Sequence, residues 1–173
     1  MKVLIVDNVT VHLPKLISLV NEKLPSTEIL IEGTRKVERE HVKSADLVLL
    51  SGGTGRSIEK NPQTYNRVVG LMEEYKRPTI GICLGAETIA HYYGAEMVQM
   101  PVRRVGNIPI NLHKQDWKRF EPAIAYEFHK WKIESFPSVL IPIASSKDGI
   151  EIFKHKTLPF FGLQFHPEVQ HRN

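Results

Sequence analysis

Pro78-Thr79-Ile80-Gly81-Ile82-Cys83-Leu84-Gly85-Ala86-Glu87-Thr88-Ile89-Ala90 reads as an apolar strand that enters Gly-x-Cys-x-Gly and leaves as a helix. This is the layout of a nucleophile elbow, with sulfur in place of the more usual serine oxygen. The sharp turn strains the backbone at the nucleophile, and larger side chains at 81 and 85 would strike the neighbouring strand and helix. A lone cysteine is ordinarily a small buried hydrophobe, and Cys83 is the one cysteine of the chain. The flanking glycines argue for a reactive role, provided that a histidine reaches the sulfur.

A suitable histidine lies near the other end. Leu158-Pro159-Phe160-Phe161-Gly162-Leu163-Gln164-Phe165-His166-Pro167-Glu168 reads as a strand ending in His-Pro-Glu. The intervening proline stiffens the segment, so Glu168 is placed to orient the imidazole and to stabilise its charged form.

Outward from the elbow, Val3 to Val6 is a strand-length apolar run and His12 to Leu24 has a helical rhythm. Ile29 to Ile31 and Ala45 to Leu50 are further strands, and Tyr65 to Tyr75 is a helix. Strands alternating with helices imply parallel βαβ units under helices on both faces. Beyond the elbow, Val102–Leu112, Ala123–Phe128, Val139–Ser145, Ile150–Lys154 and Phe160–Phe165 are strand-like with turn signals between them, which predicts added antiparallel strands. The expected fold is α/β, an open, mostly parallel twisted sheet, in a single domain over residues 1–173.

These residues carry a family resemblance. Gly81-Ile82-Cys83-Leu84-Gly85 and Gln164-Phe165-His166-Pro167-Glu168 resemble the two signatures of class I glutamine amidotransferases. Val3-Leu4-Ile5-Val6-Asp7-Asn8 resembles the family's first strand, most of all in glutaminase subunits of GMP synthases. Leu49-Leu50-Ser51-Gly52-Gly53-Thr54-Gly55 resembles its glycine-rich oxyanion loop. The resemblance implies a flavodoxin-like fold and a Cys83-His166-Glu168 triad that opens glutamine through a thioester. It also implies a separate synthetase that receives the ammonia, and no cofactor or metal. The backbone N–H of Leu84 and one from the loop, Gly53 with Gly55 beside it, would hold the oxyanion. An imidazole and a helix N-terminus beside Cys83 are expected to favour its thiolate.

The chain departs from the family in three places. Ala86-Glu87 stands where relatives have His-Gln, and that glutamine contacts the substrate. Arg103-Arg104-Val105-Gly106 stands where GMP-synthase-like members carry an acid, which makes Glu87 and Gly106 candidate substrate-binding positions. An acid gained at 87 and a base at 104 are readable as an ion pair in the pocket or as independent surface changes. The sequence also stops soon after His-Pro-Glu, where relatives carry another helix. Phe128-His129-Lys130-Trp131 occupies the turn that faces the synthetase in relatives, although a structural histidine beside a core tryptophan is the plainer reading. His12, His41, His91, His113 and His155 lack companions at metal spacing, so surface roles are expected for them.

Composition narrows the alternatives. The 173 residues carry a net charge of +4 with the basic residues scattered, which argues against nucleic-acid binding. No stretch approaches the roughly 18 apolar residues of a membrane span. One cysteine suits a reducing compartment and no signal peptide is evident, so a cytoplasmic location is expected. The glycine loop lacks the Gly-Lys-Ser/Thr ending of a phosphate loop, and no synthetase segment is evident. GMP synthesis is the destination the resemblance implies first, with anthranilate or aminodeoxychorismate synthesis next. A stand-alone γ-glutamyl hydrolase-like enzyme and a catalytically weak regulatory homologue are the other readings.

Overall fold

The structure, a computed structural model, describes residues 1–53, 58–113 and 123–169. Strands β1 (Lys2–Asp7), β2 (Glu28–Gly33), β3 (Leu47–Leu50), β4 (Thr79–Ile82) and β9 (Phe160–Leu163) run parallel in the order β2-β1-β3-β4-β9. The sheet continues antiparallel through β8 (Gly149–His155), β7 (Leu140–Ser146), β5 (Glu96–Leu112) and β6 (Ala123–Ser135). Helices α1 (Leu13–Lys23), α2 (Arg39–Ser44), α3 (Pro62–Tyr75) and α4 (Leu84–Tyr92) complete the α/β arrangement.

Strand β1 shows why the sheet is covered twice. Successive side chains point to opposite faces. Val3 and Ile5 pack with Leu16 and Val20 of α1, whereas Leu4 and Val6 pack with Val42, Val68, Met72 and Ile89 of the other three helices. A strand buried on both sides must be apolar throughout, which accounts for the unbroken run Val3-Leu4-Ile5-Val6. Among the described residues, no helix is long and apolar enough to cross a membrane.

The second half departs from expectation in length. Strands β5 and β6 form a ribbon of 17 and 13 residues, longer than the Val102–Leu112 and Ala123–Phe128 segments read from the sequence. Their ends carry Glu96, Gln99, Lys132, Glu134 and Ser135, polar residues that mask strand character at a solvated edge. Helix α2 was not expected, because its six residues bury Val42 alone and offer no periodicity. Strand β9 stops at Leu163, two residues short of Phe165, so the chain leaves the sheet before His166.

The junction between β4 and α4 is tightly packed. A Cβ on Gly81 would stand 2.5 Å from the Gly85 backbone, and one on Gly85 would stand 2.2 Å from the Leu50 carbonyl oxygen. Both obstacles are backbone, so neither can swing aside. Gly85→Ala should therefore cost at least about 1–3 kcal/mol, or roughly 2–4 °C of thermal midpoint per kcal/mol in a chain of this size. Thermal unfolding measures it, and a midpoint equal to wild type would show that the junction has slack.

Candidate functional site

Cys83 follows β4 directly and caps α4. Its N–H donates to Leu163 O at 2.7 Å, and its own carbonyl accepts from Glu87 N at 2.9 Å. Between these bonds its backbone sits at φ +50°, ψ −108°, a conformation that L-residues rarely adopt. Such strain costs on the order of 1–3 kcal/mol and persists because the ladder and the helix together over-determine it. The side chain is buried and stands at the carboxyl edge of the parallel strands.

His166 arrives from the opposite end of the chain. Its N–H donates to Tyr126 O at 2.8 Å, and a short 3₁₀ turn over Pro167–Val169 folds Glu168 back beneath it. His166 Nδ1 and Glu168 Oε1 are 2.8 Å apart, both buried. A Cβ built on Gly52 would lie 2.7 Å from His166 Cε1 and 3.5 Å from Cys83 Cβ. The Cys83 Cβ and the His166 imidazole thus flank the same point above Gly52, where no other residue would leave room for the ring. The His166 Nε2, buried, makes no hydrogen bond among the described residues.

The Asp7-Asn8 end of β1 holds the glycine loop. Asn8 N donates to Ser51 Oγ at 2.9 Å, and Asn8 Nδ2 donates to Ser51 O at 2.6 Å. Thr34 Oγ1 in turn donates to Asn8 Oδ1 at 2.6 Å, so the amide is locked. Gly53 lies so close to Asn8 O that a Cβ would meet it at 2.2 Å. Gly53, Cys83, Leu84 and Glu87 share the wall of a cavity of about 440 Å³, within the usual range for small-molecule sites. Gly55 lies outside the described residues. Gly106 does not line the cavity: it pairs with Glu127 in the β5–β6 ribbon at φ +112°.

Two expectations need correction. Burial pushes the Cys83 thiol well above its usual range, and Glu87 adds to the push. The Leu84 backbone N–H works the other way without offsetting them. The resting sulfur is therefore a thiol rather than the thiolate that the helix and imidazole were expected to favour. The second concerns the two readings of Glu87 and Arg104: no ion pair joins them, and Glu87 is buried rather than a surface change. Arg104 Nε lies 2.8 Å from Asp148 Oδ2 and 3.6 Å from Glu127 Oε2. Glu87 Oε1 instead accepts from Gln164 Nε2 at 2.9 Å. Burial raises the Glu87 carboxyl, and that hydrogen bond lowers it only in part.

Several residues were missed in the sequence. His12, expected at the surface, stands edge-on to His166 with ring centroids 5.1 Å apart. Burial and the neighbouring imidazole lower its pKa, which keeps it neutral. His155 is also interior, where its Nδ1 accepts from the N–H groups of Thr157 and Leu158. Met97, Arg103, Phe128 and Trp131 line the cavity, and Phe128 O is 4.0 Å from Cys83 Sγ. The alternation of β6 could have shown that Glu127, His129 and Trp131 share one face.

His129 lies within strand β6 rather than in a turn. It lines the cavity, while its Nδ1 meets Trp131 O at 2.6 Å and its Nε2 meets Glu127 Oε2 at 3.2 Å. Burial opposes its charged form, yet the Glu127 contact and the Trp131 carbonyl raise its pKa. Behind it Glu127 and Glu151 are buried together, and Ser146 Oγ donates to Glu151 Oε1 at 2.7 Å. Burial first, and then the neighbouring Glu127, push Glu151 up to about 8.

Known proteins resemble this chain in sequence and in fold. The family model for class-I glutamine amidotransferases matches residues 15–173. The glutamine-hydrolyzing GMP synthase subunit of Thermoplasma volcanium is 29% identical over 99% of this chain and 85% of its own. Anthranilate synthase component 2 of Methanothermobacter marburgensis is 28% identical over 96% of this chain and 89% of its own. The crystal structure of a candidate GMP synthase subunit from Thermoplasma acidophilum superposes with a TM-score of 0.84 at 26% identity. That match covers 99% of this chain and 86% of the other.

The Glu127–Glu151 pair has a pH signature. Unfolded, Glu151 loses its proton near 4.5, whereas folded it keeps the proton to about 8. The folded state holds the extra proton between those values, so stability falls as pH rises through that window. Glu151→Gln imitates the protonated acid and removes the fall. Its thermal midpoint should match wild type near pH 5 and exceed it increasingly toward pH 8. A constant difference across the range would show that Glu151 does not keep its proton in the folded protein.

Proposed function

Because the chain belongs to the class-I glutamine amidotransferases, we propose that it is a glutaminase subunit in which Cys83, His166 and Glu168 hydrolyse the side-chain amide of glutamine. The observation that carries this reading is the buried Cys83 at its strained elbow, with the His166–Glu168 pair flanking the same point over Gly52. As Cys83 Sγ bonds to the amide carbon, its proton passes to His166 Nε2. The amide oxygen, now negative, is held by the N–H groups of Leu84 and Gly53. Each such donor is worth about 3 kcal/mol of barrier. The imidazolium gives its proton to the departing ammonia, which leaves a glutamyl thioester. Water then attacks that thioester while His166 takes its proton, and the proton returns to sulfur as glutamate leaves. Glu168 keeps the Nδ1–H in place throughout and stabilises the imidazolium.

The ammonia is delivered to a separate synthetase, and the likeness to glutamine-hydrolyzing subunits of GMP synthase names that enzyme as the first partner to try. The likeness to an anthranilate synthase component makes that synthase the second. Ammonia release from glutamine, measured with and without each synthetase and its substrates, is the test. Cys83→Ala should abolish release, His166→Ala should lower it by orders of magnitude, and Glu168→Gln should cost less. Full release from Cys83→Ala would falsify the assignment.

Glu87 gives a separate prediction. It lies in the cavity wall where its charge opposes both an approaching α-carboxylate and a thiolate at Cys83. Glu87→Gln keeps an oxygen for the Gln164 Nε2 donor and removes that charge. KM for glutamine should fall, and iodoacetamide should alkylate Cys83 faster at neutral pH, each by roughly severalfold. If neither changes, Glu87 is neutral in the resting site.

A further inference from the structure

Between two paired stretches of the ribbon, β5 goes from Gln99 to Arg104 while β6 goes only from Trp131 to His129. Four residues, 100–103, thus stand opposite Lys130 alone and bulge out of the ladder. Met100 is buried and anchors the bulge, while Val102 at its crest is 76% exposed. Bulges re-aim side chains at the rims of sheets, and this one turns Arg103 toward the cavity that holds Cys83. The Arg103 guanidinium carbon stands 4.9 Å from the centre of the Phe128 ring. That seat orients the cation through the ring face and consumes none of its five N–H donors. Arg104 is committed to Asp148 and Glu127, whereas Arg103 makes no ion pair among the described residues. Phe128 also sets the scale: its ring carries Arg103 and its carbonyl lies 4.0 Å from Cys83 Sγ. In glutamine, four C–C bonds spanning about 5 Å separate the side-chain amide carbon from the α-carboxylate.

We propose that Arg103 determines substrate specificity: its guanidinium binds the α-carboxylate of the substrate while Cys83 attacks the amide at the other end. This rests on the glutaminase reading. A planar fork matches a carboxylate with two parallel bonds, so the bulge converts a cavity with an acidic wall at Glu87 into one that accepts a free amino acid. Glu59 is the other acid lining the cavity, and Lys130 and His91 are among the other groups there able to carry positive charge. Lys130, exposed and on β6, is the competing candidate for the same task.

The experiment compares wild type with Arg103→Gln, Arg103→Lys and Lys130→Gln. Arg103 is exposed, so the fold should tolerate its loss. KM for glutamine should rise about tenfold or more in Arg103→Gln, the size expected for a lost charge-assisted contact, and by more than kcat falls. Arg103→Lys should recover part of the loss. Wild type should disfavour glutamine whose α-carboxylate is amidated, and Arg103→Gln should not. Labelling of Cys83 by a diazo-ketone α-amino acid of glutamine length should slow in parallel with the loss in KM. Iodoacetamide, which carries no carboxylate, should still alkylate the variant. The proposal is overturned by a wild-type KM in Arg103→Gln, by the same KM defect appearing in Lys130→Gln alone, or by an equal slowing of both labels, which would mean a collapsed site. If wild type takes neither the diazo-ketone nor glutamine, the glutaminase reading itself fails and the proposal falls with it.

Discussion

Everything at the proposed site hangs on the backbone of Cys83, held at φ +50° between a ladder bond to Leu163 and the first helical bond of α4. That conformation is unfavourable in isolation. It is imposed because β4 is pressed from behind: Gly81 lies against Gly85, and Gly85 lies against the Leu50 carbonyl. The chain cannot relax at 83 without separating β3, β4 and α4, and β3 and α4 share the main core with α3. Core packing thereby fixes the direction of one sulfur.

The second element of the site depends on the order of the strands. His166 belongs to a segment that leaves the sheet just past β9, the strand that pairs with β4. Because β4 and β9 are neighbours, Cys83 and His166 emerge side by side at the same edge although half the chain separates them. Asn8 and Ser51, from the ends of β1 and β3, close the third side. This is the general behaviour of open parallel sheets, whose carboxyl ends gather loops from distant stretches of sequence.

What the sequence made legible follows from where a residue's neighbours come from. The apolar runs of β1, β3 and β4 are local signals, and the glycines at 81 and 85 announce a close approach. Both were readable and both are observed. The His-Pro-Glu spacing was readable because Glu168 and His166 interact within one short turn. The charge at Glu87 was legible as a departure, but its partner was not: Gln164 is 77 positions away. An ion pair with Arg104, one of the two readings of these positions, is absent for the same reason, since Asp148 and Glu127 reach Arg104 from elsewhere in the chain. His12 was read as a surface residue because its place before α1 gives no hint that His166 covers it.

The protonation state of the sulfur is the least local property of all. A cysteine at a helix N-terminus beside a histidine is expected to ionise, yet here burial outweighs those influences. Glu87, Glu168 and Glu127 add repulsion from three different elements. A resting thiol changes the order of events in the proposed reaction. Sulfur must give up its proton to His166 before or during attack. The Glu168 carboxylate then counts twice, raising the thiol in the free protein and stabilising the imidazolium once the proton has moved. Acids that hold the sulfur quiet in an empty site thus become, once substrate is aligned, part of what drives the proton toward His166. A cation at the cavity wall, the place proposed for Arg103, lets a substrate carboxylate enter such an acidic site without disturbing that balance.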